Sequence, residues 1–119
     1  MSDSEQTLEN GLPVDHPVNR QLAEYNAQRL DEFVACFAPN IKLTSGNGTV
    51  RAEGHTQLRD AYVPVFAISG RRATILNRIA VGGWVVDHER IDEDNGRQFE
   101  AAVAFHLTDG RIDEMRMLD

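Results

Sequence analysis

Three side chains of this sequence are candidates for acid–base chemistry, and His88 is the first of them. An imidazole in an apolar cavity titrates near neutral pH and can shuttle a proton. Tyr25 and Tyr62 can each donate a hydrogen bond from a phenol to a carbonyl group of a bound molecule. Each also has a structural interpretation, because histidines on half-buried strands are often hydrogen-bond partners and tyrosine rings often fill cores. The sequence leaves both interpretations open.

A pair of carboxylates, Asp87 and Glu89, lies two residues apart on one face of a predicted strand. Paired carboxylates perform acid–base catalysis in glycosidases. Unpaired charge is rarely buried, however, so we expect this pair to face solvent or a partner subunit. Gln21 precedes Tyr25 by about one helical turn, and it can either orient a ligand or be solvated.

The sequence predicts neither a metal site nor a cofactor. Its histidines show no metal-ligand spacing, and Gly46-Asn47-Gly48 is typical of a hairpin turn rather than a phosphate-binding loop. The histidines in question are His16, His55, His88 and His106.

The composition excludes several kinds of partner. A formal net charge of -7 gives no long-range attraction to nucleic acid or to anionic lipid. No apolar run approaches membrane-spanning length, so we expect no membrane partner. The polar start of the chain does not resemble a signal peptide, and a cytoplasmic location is expected by default.

Turn signals and periodicity predict the order of the elements. Residues 1–13 are expected to be a disordered leader, and residues 14–119 one domain. Two helices should begin at the caps Asp15 and Asp31, and a third, over residues 55–67, should be kinked or shortened by Pro64.

The later part of the chain predicts strands. Asx-Gly pairs between extended runs are strong hairpin signals, because both turn residues need positive φ. Such pairs or a Gly-Gly turn separate the predicted strands at residues 47–48, 82–83, 95–96 and 109–110. Helices on one face of an antiparallel sheet define the α+β class.

Alternation assigns the faces of the strand over residues 99–107. Phe99, Val103 and Phe105 share the predicted core or pocket face with Ala101 and Leu107. The opposite face is small and mixed in character, which suits contact with a second sheet. The strand that begins at Trp84 mixes apolar and charged groups on both faces, so alternation alone does not orient it.

Roughly residues 16–118 resemble a known superfamily. The segments Tyr25-Asn26-Ala27-Gln28-Arg29-Leu30-Asp31-Glu32-Phe33, Cys36-Phe37-Ala38-Pro39 and Val85-Val86-Asp87-His88-Glu89, with the ending Asp109-Gly110-Arg111-Ile112, are similar to the nuclear-transport-factor-like superfamily. Ketosteroid isomerases and SnoaL-like polyketide cyclases belong to that group. The resemblance implies a cone-shaped, curved sheet of about six strands, three helices on its concave face, an internal pocket, and a homodimer formed through the outer sheet face.

The resemblance does not transfer the steroid isomerase mechanism. The catalytic tyrosine of the first helix corresponds to Gln21, the general-base aspartate to Ser45, and the hydrogen-bond-donating aspartic acid to Val103. An amide, a hydroxyl and an isopropyl group cannot supply a base together with an oxyanion hole.

The resemblance also orients the ambiguous strand, turning Trp84, Val86, His88 and Arg90 towards the pocket and Asp87 and Glu89 away from it. His88 and Tyr25 are then the predicted catalytic residues. The predicted pocket residues are Gln21, Tyr62, Phe66, Trp84, Arg90, Val103, Phe105 and Met117.

Two functions remain open from the sequence. The first is the binding of a small apolar molecule by a cofactor-free proton-transfer enzyme of the isomerase, cyclase or dehydratase kind. The second is a non-catalytic module that binds a ligand or only dimerises.

Overall fold

Three helices cover one face of a six-stranded sheet in the computed structural model, which describes residues 7–118. The elements in chain order are β1 (Leu8–Glu9), β2 (Leu12–Pro13), α1 (Pro17–Asn26), α2 (Leu30–Ala35), β3 (Phe37–Ser45), β4 (Val50–Glu53), α3 (Gly54–Phe66), β5 (Arg72–Val81), β6 (Trp84–Asp92), β7 (Gln98–Thr108) and β8 (Arg111–Leu118). The predicted α+β class with three helices on a curved sheet is confirmed.

The large sheet has the strand order β4-β3-β8-β7-β6-β5. Hairpins pair β5 through β8 in antiparallel fashion, as predicted, whereas β3 and β8 run parallel, so the sheet is mixed. No hairpin turn joins β3 to β8, and their direction is therefore not constrained by local turn chemistry. Register shifts interrupt four of the pairings, and such bulges bend the strands and help the sheet to curve.

The predicted turns form, but only one has both residues at positive φ. Asp109 and Gly110 have φ of 52° and 75°, as a tight two-residue hairpin requires. At residues 47–48 and 95–96, positive φ is confined to Gly48 and Gly96. The loops there are longer, and the asparagine need not adopt the left-handed conformation.

The helix boundaries differ from the predicted ones in their caps. His16, not Asp15, caps α1: its Nδ1 accepts a hydrogen bond of 3.1 Å from the backbone N–H of Val18. Arg29 precedes α2 without a side-chain cap, so the predicted Asp31 cap is wrong. Pro64 lies inside α3, which continues to Phe66.

Phe33 of α2 is the centre of the aromatic core. Its ring centroid lies 4.9 to 6.0 Å from those of four other rings, which belong to Tyr25, Phe37, Tyr62 and Phe66. These rings join all three helices to β3, and tilted or edge-to-face pairs of this kind stabilise beyond the area they bury. The cluster therefore fixes the helical layer over the sheet.

The predicted disordered leader is wrong for residues 8–13, which form the β1–β2 hairpin. Asn19 of α1 holds this hairpin: its Nδ2 lies 3.0 Å from the carbonyl oxygen of Glu9 and 2.9 Å from that of Pro13. Because the Asn19 side chain is buried, these bonds satisfy a polar group that would otherwise be costly to bury. The earlier part of the predicted leader, residues 1–6, lies outside the described residues.

A buried ion pair connects the hairpin and α1 to the sheet. Arg78 of β5 donates to both oxygens of Asp87 on β6, with Nε–Oδ1 2.6 Å and Nη2–Oδ2 2.8 Å. Arg78 Nη1 also donates to Asn19 Oδ1 at 2.7 Å. The side chains of Arg78 and Asp87 are 5% and 0% exposed, so each charge is stabilised by the other and not by water.

We expect Asp87→Asn to lower the free energy of unfolding by about 3–5 kcal/mol, because it leaves the Arg78 charge buried without a counter-ion. Urea unfolding measures the loss. Asp31→Asn is the matched control: it breaks an ion pair with Arg59 that is exposed on both sides, and it should change stability little. Equal effects of the two substitutions would contradict the assigned role of the Arg78–Asp87 pair.

Candidate functional site

A cavity of about 310 Å³ lies between the helices and the sheet. This volume is within the range of small-molecule sites. Most of its wall is apolar and comes from all three helices and from strands β3 and β5 to β8; the apolar lining residues are Leu22, Phe33, Leu43, Ala61, Val65, Ala73, Ile91, Phe99, Ala101, Val103, Phe105, Met115 and Met117. A few polar side chains interrupt this wall, and they determine what chemistry the cavity can perform.

Glu89 is the one carboxylate in the lining of the cavity over residues 7–118. The pKa of Glu89 is raised to about 7, chiefly by burial and next by the charge of Asp87, while Arg78 and Arg71 act in the opposite direction. No hydrogen bond to the Glu89 carboxylate lowers its pKa. The group therefore exchanges its proton near neutral pH, which is what a general acid or base requires.

Tyr25 lines the same cavity. Arg71 Nε donates a hydrogen bond of 2.7 Å to the Tyr25 oxygen, and Arg71 Nη1 binds Glu93 at 2.8 Å. Since the tyrosine oxygen accepts from Arg71, its own proton is left to be donated elsewhere. Burial raises the pKa of Tyr25, so the phenol stays protonated at neutral pH.

Tyr62 and Gln21 complete the inner polar surface. The Tyr62 hydroxyl lies 3.8 Å from Met115 Sδ, a weak acceptor, and burial raises the pKa of Tyr62. Gln21 is 5% exposed, and its Nε2 donates to the carbonyl oxygen of Val18 at 2.9 Å. The amide oxygen of Gln21 accepts no hydrogen bond from another side chain within residues 7–118, so it is available to a ligand.

Six of the ten predicted catalytic and pocket residues line the cavity, and these are Gln21, Tyr25, Tyr62, Val103, Phe105 and Met117. Ser45 lines it as well. The three positions that correspond to the isomerase catalytic residues thus share one cavity. Phe66 lies behind this wall, where its ring packs on Phe33 at 5.1 Å and on Tyr25 at 5.6 Å.

The predicted orientation of β6 is wrong. His88 points to the outer face, where its ring nitrogens lie 3.0 Å from Asn77 Nδ2 and 2.6 Å from Glu100 Oε1. Trp84 packs edge-to-face on His106, and Arg90 binds Asp92, so neither of these predicted pocket residues reaches the cavity.

The register of β6 against β7 explains this error. Val85 pairs with Phe105, Asp87 with Val103, Glu89 with Ala101, and Ile91 with Phe99. These β7 partners were already predicted to face inward, and side chains of directly paired residues lie on the same side of a sheet. The β6–β7 register, counted from the turn at residues 95–96, therefore predicts that Glu89 faces inward. The orientation implied by the family resemblance was the opposite.

A family assignment follows from the sequence itself. Residues 18–115 match the SnoaL-like domain, which is more than half of the chain. The chain belongs to the SnoaL-like domain family. No curated protein matches it at a significant level.

Solved structures share the fold of this SnoaL-like domain at low sequence identity. A cystatin-fold protein from Novosphingobium aromaticivorans has a TM-score of 0.77 and 19% identity over 87% of this chain and 95% of that one. A polyketide-cyclase-like protein from Sinorhizobium meliloti has a TM-score of 0.73 and 18% identity over 85% of this chain and 92% of that one. A protein from Catenulispora acidiphila with a ketosteroid-isomerase-like fold, in complex with trimethylamine, has a TM-score of 0.69 and 14% identity over 87% and 84%.

Two kinds of feature are absent from residues 7–118. No group of three or more His, Cys, Asp or Glu side chains is arranged to hold a metal ion in this part of the chain. None of its helices is long and apolar enough to cross a membrane.

The raised pKa of Glu89 predicts a pH-dependent stability. The folded state keeps this proton up to about pH 7, whereas the unfolded chain releases it near 4.5, so the free energy of unfolding falls as the pH rises between these values. We expect Glu89→Gln to remove this penalty and to gain about 2–3 kcal/mol over the wild type between pH 5 and pH 8. Urea unfolding at both pH values measures the difference.

Glu53→Gln is the control for this titration, because Glu53 is exposed and lies outside the cavity lining. It should leave the pH dependence of the wild type in place. A Glu89→Gln variant whose stability follows the wild type at every pH would show that Glu89 titrates normally in the folded chain.

Proposed function

We propose that this SnoaL-like domain binds a small apolar molecule and moves a proton within it, with Glu89 as the acid–base group. The observation that carries the proposal is the Glu89 carboxyl, which lines an apolar cavity and has no hydrogen-bond partner among residues 7–118. A carboxylate in such surroundings is a stronger base than one in water, because burial disfavours its charged form.

The proposed reaction is a proton transfer next to a carbonyl group. The Glu89 carboxylate takes a proton from the carbon beside the carbonyl, the C–H bond breaks, and its electron pair moves to the carbonyl oxygen. Tyr25 donates its hydroxyl proton in a hydrogen bond to that oxygen, while Arg71 holds the tyrosine oxygen at 2.7 Å. Return of the proton from Glu89 to a different carbon completes an isomerisation. Alternatively, attack of the carbanion on a second carbonyl forms a carbon–carbon bond, and the oxygen of that carbonyl takes the proton back from Glu89, which completes a cyclisation.

The proposed base, Glu89, does not lie at the position of the isomerase general base, which corresponds to Ser45. Gln21, Ser45 and Val103 occupy the cavity wall but supply no carboxylate. Glu89 enters the same space from β6, and Tyr25 enters it from α1 one turn beyond Gln21. The proposed chemistry therefore resembles enolisation in general, without the steroid isomerase constellation.

A non-catalytic ligand-binding module is the second candidate. It is favoured by the loss of all three isomerase positions and by the prevalence of apolar groups in the wall. In that case Glu89 and Gln21 would only hydrogen-bond the guest. The two candidates differ in whether bound molecules exchange protons.

The test is deuterium exchange at the α-carbons of a small apolar ketone, 2-tetralone, followed by NMR. We expect the wild type to accelerate exchange, and the rate to rise with pH to a plateau above about 7, because the ionised form of Glu89 is the base. Glu89→Gln should lose about 100-fold, and Tyr25→Phe about tenfold or more, because each removes a group that acts in the transition state.

Two outer-face variants control this experiment. His88→Gln and Glu100→Gln alter the pair on the far side of the sheet and should leave exchange unchanged. Tight binding of the ketone without exchange would favour the second candidate. Loss of exchange in His88→Gln but not in Glu89→Gln would overturn the proposed base.

We also propose that two copies pair through the outer face of the sheet. Ile79 and Val81 of β5 are 62% and 67% exposed, and Val86 and Trp84 are their cross-strand partners on that face. Neighbouring exposed apolar side chains of this kind favour association. The small residue Ala102 of β7 continues this face and allows close approach of a second sheet.

Sedimentation at micromolar concentration tests the dimer. We expect the wild type to sediment as a dimer and Val81→Glu to shift it to a monomer, because a charge placed in an apolar contact loses its hydration. Val63→Glu is the control, since Val63 is an exposed valine on α3, away from this face. A wild type that remains monomeric would refute the proposed pairing.

A further inference from the structure

We propose that the ligand of this cavity carries an acidic oxygen, a carboxylate or an ionised enol, which binds Arg51 at the mouth of the cavity. This inference rests on the proposed function, because it describes the molecule on which Glu89 would act. It adds a charge requirement to a site whose wall is otherwise mainly apolar.

Arg51 is an exposed residue of the edge strand β4 that also lines the cavity, which places it at the rim. The other arginine of the lining, Arg71, binds Glu93, and the buried Arg78 binds Asp87. Arg51 forms no such pair with a carboxylate of residues 7–118. No carboxylate of this part of the chain thus competes with an anion that enters from solvent, and the planar donors of the guanidinium match a carboxylate.

The charge of the cavity wall differs in sign from the charge of the chain. The chain carries a formal net charge of -7. Within residues 7–118, the cavity lining nevertheless contains one cation without a carboxylate partner, Arg51, since Arg71 is paired with Glu93, and a single carboxylate, Glu89. Because that carboxylate is largely neutral below pH 7, the wall is cationic in an acidic protein. An anionic group is thus attracted to the cavity although the surface as a whole repels it.

The hydroxyl groups near Arg51 do not offer an alternative anion site. Ser45 donates its hydroxyl proton to Asn47 at 2.6 Å, and Thr44 donates to Glu114 at 2.9 Å. Both hydroxyl hydrogens at this end of the cavity are thus engaged inside the protein. The Arg51 guanidinium is the donor that remains for a ligand oxygen there.

Arg51 and Glu89 act on different ends of the ligand. Their strands, β4 and β6, are separated by three others in the sheet order, which is about 19 Å along a flat sheet and less across a curved one. The cations that shift the pKa of Glu89 are Arg78 and Arg71, and Arg51 is not among them. The acidic oxygen and the reacting carbon are therefore separate features of one molecule, joined by an apolar body.

Three probes with the same naphthalene ring test the inference: 2-naphthoate, its neutral methyl ester, and a 2-naphthyl trimethylammonium ion. Calorimetric titration at low salt and about pH 6 keeps Glu89 mostly neutral while the naphthoate stays ionised. We expect the carboxylate to bind about fivefold more tightly than the ester, as a partly exposed ion pair allows, and the ammonium to bind most weakly.

Variants at residue 51 test whether Arg51 causes the preference for the carboxylate over the ester. Arg51→Gln should bring the carboxylate to the affinity of the ester without changing the ester, and Arg51→Lys should keep most of the preference. Arg111→Gln is the matched control, because it removes an exposed cation at the β7–β8 turn, outside the lining. It should leave the ratio of affinities as in the wild type.

The outcomes separate the inference from the proposed function. Equal binding of ester and carboxylate, or tighter binding of the ammonium ion, would overturn the acidic ligand while leaving a proton-transfer pocket for neutral molecules. A preference for the carboxylate that survives in Arg51→Gln would overturn the role of Arg51. Failure of all three probes to bind would overturn the apolar pocket itself, and the inference with it.

Discussion

The buried ion pair between Arg78 and Asp87 constrains the rest of this molecule. A carboxylate at 0% exposure is tolerated only because a guanidinium on the neighbouring strand binds both of its oxygens. The pair therefore fixes which face of β6 turns inward. Through Asn19, the same guanidinium also positions α1 and the β1–β2 hairpin. One set of charge-assisted hydrogen bonds thus determines the orientation of β6 and the positions of α1 and the β1–β2 hairpin.

The same constraint produces the chemistry of the cavity. Once Asp87 is turned inward, Glu89 must follow, because residues two apart on a strand share a face. The two carboxylates then differ in their surroundings: Asp87 binds Arg78, whereas Glu89 faces the apolar wall and has its pKa raised to about 7. A group held for structural reasons thus places a second group where it can exchange protons, and the cost of burying Glu89 is the source of its reactivity.

Local sequence signals predicted most of the elements and the inward face of β7 but not the acid–base group. The inward set Phe99, Val103 and Phe105 followed from simple alternation, since these positions differ sharply from their neighbours. Alternation carried no such contrast in β6, where each face holds two charged residues beside apolar ones. The parallel pairing of β3 with β8 was missed because it depends on contacts between distant segments. The β1–β2 hairpin was missed although its turn, Asn10-Gly11, is a local Asx-Gly signal with both residues at positive φ.

The identity of the reactive group depends on a single step of strand register. Shifting β6 by one residue would carry His88 inward and Glu89 outward, and it would replace Asp87 by Val86 opposite Arg78. The guanidinium would then be buried without a counter-ion, which costs several kcal/mol. A common cavity shape can therefore hold different reactive groups in related proteins, because apolar side chains define the space while one ion pair selects which side chains of the strand enter it. Similarity to solved structures at 14–19% identity accordingly shows the fold and not the chemistry of the cavity.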